Sequence, residues 1–132
     1  MRFLIIDHSP TMRRAIINTL RAFGYEEFEE AENGVDGMNI LQNSEIDFVT
    51  TEWDMPNMTG IELVKLIRED EKLKNIFILM ITSRDSKADI VEALKAKVDN
   101  YVVKPFATQT LKEKIEIVLN DKHRDPAKMF FL

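Results

Sequence analysis

Short apolar runs alternate with helical patterns about five times along this chain, and that alternation limits the fold more than any other feature. The runs fall at residues 3–7, 28–31, 46–51, 76–82 and 99–103, each of strand length. The run at 28–31 has the weakest apolar signal, because glutamates dominate it. Between the runs, apolar residues recur at helical spacing. Ser9 is placed to cap a helix that begins at Pro10, with Met12, Ile16 and Leu20 on one face and Gly24 at its end. Asn33-Gly34 opens a second helix, with Val35, Met38 and Leu41 expected to face inward. Thr59 and Glu62 have capping-box spacing ahead of Leu63, Val64 and Ile67, and Ser86 and Asp89 repeat it ahead of Ile90, Val91 and Leu94. A last helix carries Leu111, Ile115, Val118 and Leu119.

Strands separated by helices require crossover connections, which make the sheet parallel and cover both of its faces. Five such repeats in 132 residues predict an α/β, flavodoxin-like (βα)5 doubly wound fold with a five-stranded parallel sheet of order 2-1-3-4-5. The domain is expected over residues 1–120. A charged tail over 121–132 ends in Met129-Phe130-Phe131-Leu132 and reads as frayed, as packed on its own domain, or as a docking peptide.

Charge and composition narrow the partners. The 18 basic and 23 acidic residues leave a net charge of −5 with no Lys/Arg block, which argues against nucleic acid or an anionic membrane as the main partner. The chain has no cysteine, so disulfides, thiol catalysis and cysteine-ligated metals are excluded. The longest unbroken apolar run, 76–81, is far too short to span a bilayer. Met1 leads straight into Arg2-Phe3-Leu4-Ile5-Ile6 without the small-residue cleavage site of a signal peptide. A cytoplasmic monomer is the expectation.

In a sheet of this kind, ligands sit beyond the carboxyl ends of the strands, near the reversal in strand order. The first strand ends in Asp7-His8 and the third in Glu52, followed by Trp53-Asp54. The fourth ends in Thr82-Ser83 and the fifth in Lys104-Pro105. Taken singly, each residue fits a solvated loop, Lys104 fits a surface lysine, and Thr82 an ordinary β-former. Together they place two carboxylates, a hydroxyl and an ammonium at neighbouring strand ends. Carboxylate oxygens suit a hard cation such as Mg²⁺, while lysine and hydroxyl suit phosphoryl oxygens.

Asp7-His8, the WDMPNMTG stretch after Glu52, Met80-Ile81-Thr82-Ser83 and Tyr101-Val102-Val103-Lys104-Pro105-Phe106 together resemble the receiver domain of two-component response regulators. The stand-alone chemotaxis receivers are the most similar. The resemblance covers residues 1–120 and extends to Ser9-Pro10-Thr11-Met12-Arg13-Arg14 and Glu32-Asn33-Gly34-Val35-Asp36-Gly37. It implies a phosphorelay signalling module without an output domain, which is not an enzyme beyond its own phosphorylation. In that family an aspartate at the end of the third strand accepts a phosphoryl group. An acidic pair after the first strand holds Mg²⁺, helped by the acceptor and a main-chain carbonyl two residues beyond it. A strand-4 hydroxyl and a strand-5 lysine grip the phosphoryl group. An aromatic on strand 5 rotates inward and reshapes the face of helix 4, strand 5 and helix 5, which a histidine kinase or a flagellar switch-type protein reads.

Carried onto this sequence, the acceptor position is Glu52, the gripping and switch residues are Thr82, Lys104 and Tyr101, and the metal residues are Asp7, Glu52 and the main-chain carbonyl of Asp54. His8, Trp53, Ser83 and Pro105 flank the site, and the resemblance implies a cis bond between Lys104 and Pro105.

Two positions depart from the family pattern: Glu52 replaces the aspartate and His8 replaces the second acid. The extra methylene of Glu52 carries its carboxylate about 1.5 Å further out. A positioning error of about 1 Å costs phosphoryl transfer on the order of a hundredfold. Glu52 is therefore expected to be a poor nucleophile and a partial phosphate mimic within reach of Lys104 and Thr82. His8 removes a negative charge, so Mg²⁺ is expected to bind weakly. The histidine itself reads as a solvated loop residue or as a ligand for a softer metal such as Zn²⁺. The side chain of Asp54 restores some acidity if it turns into the site.

Two other functions compete with a weakened or phosphorylation-independent receiver. One is an ordinary phosphoaccepting receiver carrying an aspartate-to-glutamate substitution. The other is a flavodoxin-like flavin or nucleotide binder, against which stands His8-Ser9-Pro10-Thr11 in place of a glycine-rich loop.

Overall fold

Strand β1 (Arg2–Ile6) reads RFLII without polar alternation because both of its faces are covered. Phe3 and Ile5 face one apolar layer, and Leu4 and Ile6 face the other. The computed structural model describes residues 1–121, and the elements after β1 alternate strictly. They are α1 (Pro10–Ala22), β2 (Glu27–Ala31), α2 (Gly34–Asn43), β3 (Phe48–Thr51), α3 (Gly60–Glu69), β4 (Phe77–Thr82), α4 (Lys87–Lys95), β5 (Asn100–Val103) and α5 (Thr108–Leu119). The strands pair in parallel in the order β2-β1-β3-β4-β5, the expected doubly wound sheet. Strand bounds lie within two residues of those read from the apolar runs. The expected Met129-Phe130-Phe131-Leu132 end of the tail lies outside the described residues.

One layer packs Ile16, Ile17 and Leu20 of α1 and Leu111, Ile115 and Val118 of α5 against the sheet. The other packs Leu41 of α2, Leu63, Val64 and Ile67 of α3 and Ala93 of α4. At the amino ends of the strands, Phe28, Phe3, Phe48 and Phe77 stand in register across β2, β1, β3 and β4. Their rings are 6.0, 5.0 and 5.8 Å apart in that order. Such a ladder fixes register, since a one-residue slip turns every ring to the opposite face. β2 tolerates its glutamates because it is an edge strand bonded only to β1. Glu27 pairs with Arg2 at its outer side.

Side-chain caps start four helices. Ser9, Asn33, Thr59 and Ser86 accept from the main-chain N–H of Met12, Asp36, Glu62 and Asp89 at 3.2, 2.8, 3.1 and 3.1 Å. One helix face, that of α2, differs from expectation. Val35 is 45% exposed, and α2 instead buries Gly34, Gly37 and Leu41. A Cβ at Gly37 would lie 2.6 Å from Cδ1 of Ile6, so the helix approaches β1 through its glycines. Helix α4 buries Ala93 and leaves Val91 and Leu94 exposed. In both helices a small residue sets which face meets the sheet.

Candidate functional site

Three strand ends deliver one charged side chain each to a common point. The main-chain N–H of Asp7 donates to Ala31 at 3.1 Å, that of Glu52 to Ile6 at 3.1 Å, and that of Lys104 to Thr82 at 2.8 Å. These bonds extend the ladder one residue past β1, β3 and β5, so the three side chains leave the sheet from a rigid edge. Lys104 Nζ then donates to Asp7 Oδ2 at 2.7 Å and to Glu52 Oε1 at 2.8 Å. The remaining oxygens are also engaged. Asp7 Oδ1 accepts from the Ser9 N–H at 2.9 Å, and Glu52 Oε2 from the Trp53 N–H at 2.6 Å.

Neighbouring residues hold this geometry. Arg13 on α1 donates to the Asp7 carbonyl at 2.6 Å and to Glu30 at 2.9 Å, pinning the loop after β1. Gly60 donates to the Trp53 carbonyl at 2.8 Å, and a Cβ there would collide with the Glu52 carbonyl oxygen. The first turn of α3 lies against the Glu52 backbone only because that Cβ is missing. The bond between Lys104 and Pro105 is cis, as the resemblance implied.

Electrostatically the point is dense. The side chains of Lys104, Asp7 and Glu52 are 14%, 5% and 11% exposed. Burial opposes the charge on Lys104, but hydrogen bonds to Asp7 and Glu52 outweigh it and hold the ammonium above the ordinary lysine range. Two carboxylates against one ammonium leave a formal charge of about −1 in partial burial.

A second cluster closes the side of this point nearest α4. Arg84 makes a two-pronged contact with Asp54, at 2.9 Å from Nε and 2.7 Å from Nη2. Its guanidinium lies 4.5 Å from the centre of the Trp53 ring and 3.6 Å from Asp89. Its main-chain carbonyl accepts the Tyr101 hydroxyl at 2.7 Å, and its N–H points at Thr82 Oγ1 at 3.4 Å. Tyr101 is buried, and desolvation, with Asp89 and Glu52 nearby, pushes its phenol up to about 12.

Comparison with known proteins decides the family. Residues 3–116 match the response regulator receiver domain. The chain belongs to that family. The receiver is 50% identical over 120 residues to the chemotaxis protein CheY1 of Helicobacter pylori, covering 90% of this chain and 97% of that one. It is 47% identical over 116 residues to the chemotaxis protein CheY of Pseudomonas aeruginosa, covering 88% and 94%. Among solved structures, the chemotaxis response regulator CheY4 of Vibrio cholerae superposes with a TM-score of 0.82 at 32% identity, covering 89% of this chain and 97% of that one.

The strand-end residues read from the sequence are thus partly gathered. Asp7, Glu52 and Lys104 touch, Thr82 is fully buried beside them, and Trp53 and Tyr101 are buried in the second cluster. His8, Ser83 and Pro105 are exposed. The condition under which the Asp54 side chain would restore acidity to the metal position, that it turn into the site, is not met here. Asp54 is turned away to Arg84, whose hydrogen bond holds its carboxyl below the usual carboxylate range.

Receiver domains generally hold Mg²⁺ at this position. In this receiver Asp7, Glu52 and the main-chain carbonyl of Asp54 are the groups that would hold such an ion. Every carboxylate oxygen of Asp7 and Glu52 already accepts a hydrogen bond, and Lys104 stands between the two groups. Among the described residues, no three His, Asp or Glu side chains gather closely enough to hold a metal ion. Arg13 and Arg84 escaped the sequence reading, since arginine carries no periodic signal. For Arg84 a clue was present. Asp54 and Arg84 stand two residues past Glu52 and Thr82 on adjacent strands, with opposite charges at equal offset.

Proposed function

We propose that this receiver is a chemotaxis signalling module that works by protein contact, with phosphoryl chemistry much weakened at Glu52. The observation that carries the reading is the pair of contacts from Lys104 Nζ, 2.7 Å to Asp7 and 2.8 Å to Glu52. The lysine that grips an incoming phosphoryl group in the family is here already gripping the acceptor side chain. Glu52 places one negative charge in that position permanently, a partial imitation of a group that brings nearly two charges and more acceptor oxygens. Mg²⁺ has fewer acidic ligands than in the family pattern, because His8 stands where the pattern has the second acid. Thr82 and Tyr101 keep the switch roles.

The output surface in this reading is α4, β5 and α5. Exposed Val91 and Leu94 stand on α4, and a groove beside Leu94 runs along Tyr101 and Val103 to Thr110 and Lys114 on α5. An apolar floor with a lysine at its rim suits a short amphipathic segment of a kinase or a flagellar switch-type protein. The module acts in the cytoplasm as a monomer, without nucleic acid or membrane, and is not an enzyme.

Incubation with Mg²⁺ and acetyl phosphate, followed by intact-mass measurement, tests the reading. The expected result is no gain of a phosphoryl mass in the unaltered chain. A clear gain mapped to Glu52 overturns it. Glu52→Asp serves as the comparison, since shortening the side chain restores the family's acceptor length.

A further inference from the structure

Arg84 is the residue where three parts of the molecule meet. Its side chain holds the loop after β3 through Asp54 and Trp53, and reaches the first turn of α4 through Asp89. Its main chain holds β5 through the Tyr101 hydroxyl and faces Thr82 at the end of β4. We propose that Arg84 is a positioning residue, a clamp that fastens the loop before α4 to Trp53 and Asp54 and thereby keeps Tyr101 in its buried position with no phosphoryl group present.

The physical case rests on how the contacts combine. A guanidinium fork matches a carboxylate in one orientation only, so the contact to Asp54 fixes direction as well as distance. Stacking on the Trp53 face fixes the plane of the same group. With the side chain held at two points, the Arg84 backbone has little freedom, and its carbonyl is a stationary acceptor. Tyr101 is a long side chain whose hydroxyl must find a partner when the ring is buried, and that carbonyl is the partner it has. Loss of the fork therefore frees the acceptor, and a freed acceptor no longer selects the buried position of the ring. The clamp is built from the loop after β3 and the loop after β4, the same two that flank Glu52 and Thr82. It thus ties the strand-end point to the α4–β5 surface by a route that needs no chemistry at position 52.

The inference is independent of phosphate uptake, and its test uses no phosphodonor, so the failure of one does not imply the failure of the other. Hydrogen–deuterium exchange of the full chain follows the segments 83–89 and 100–103, while fluorescence follows Trp53, the single tryptophan of the chain. The variants are Arg84→Gln, Asp54→Asn and Tyr101→Phe. Arg84→Gln and Asp54→Asn are expected to speed exchange about threefold in both segments and to shift the Trp53 emission. Tyr101→Phe cuts only the hydroxyl link, so it is expected to speed exchange in 83–89 while leaving the emission unchanged. Asp54 is largely exposed, so Asp54→Asn keeps the test open if Arg84→Gln does not fold. Faster exchange confined to 83–89 in the first two variants overturns the coupling to Tyr101. Unchanged exchange in both segments overturns the clamp itself.

Discussion

The two ends of the sheet each bury an ion pair, and the pairs are built on opposite principles. At the amino ends, Arg68 on α3 pairs with Asp99 at 3.0 Å, with side chains 5% and 1% exposed. Arg68 also donates to the carbonyls of Lys97, Lys74 and Ile76, and Asp99 accepts the Ile78 N–H at 2.7 Å. There the cation meets an anion, and main-chain carbonyls take up the rest of the fork. At the carboxyl ends one lysine serves two carboxylates, and the charges do not cancel. A balanced, saturated pair fixes how α3, β4 and β5 meet. An unbalanced one stays responsive to anything that changes its charge, which is what a signalling site requires.

Breaking the amino-end pair is expected to have the largest effect. Arg68→Met strands Asp99 in the interior and is expected to cost about 3–5 kcal/mol, read from the denaturant midpoint. Lys104→Met comes next, at about 2 kcal/mol, because its carboxylates keep some access to water and their main-chain donors. If Lys104→Met costs as much as Arg68→Met, the two ends do not differ as described. The Lys104 contribution also has a pH signature. Its folded-state value is raised above the ordinary 10.5, so the stability it brings is complete below that pH. It is lost as pH rises through the folded-state value. The gap between the unaltered chain and Lys104→Met is thus expected to be flat from neutral to mildly alkaline pH and to shrink beyond.

Smaller effects sharpen the contrast. Glu52→Gln removes the excess negative charge and keeps the shape, so thermal melting is expected to show a gain of up to about 1 kcal/mol. A comparable neutralisation of Asp99 has no such excess to relieve and is expected to destabilise. Asp54→Asn is the smallest, below about 1 kcal/mol, since Asp54 and Arg84 are 58% and 37% exposed and salt screens them. Its sign follows from the depressed Asp54 value: the contribution is present above the ordinary carboxylate range and fades as pH falls below it.

The sheet was legible because covering both faces forces apolar runs, and helix caps announce themselves in Ser9, Asn33, Thr59 and Ser86. Val35 was misplaced because apolar periodicity is blind to Gly37, whose lack of bulk decides which face of α2 approaches the sheet. The gathering of the ends of β1, β3 and β4 was legible from strand order, while the reach of Lys104 from β5 to Glu52 was legible only through the family resemblance. The direction of the Asp54 side chain was not legible, because it depends on a partner thirty residues away in a loop. The main-chain frame follows from pattern, while loop side chains follow from pairwise charge.

The central claim is that Lys104 and Glu52 hold each other in place of a metal and a phosphoryl group. A crystal structure grown with saturating Mg²⁺ tests it most directly. The account predicts that Lys104 Nζ remains in hydrogen-bond contact with both Asp7 and Glu52, with no six-coordinate ion between the carboxylates. An octahedral Mg²⁺ with Glu52 among its ligands and Lys104 displaced from it would contradict the account.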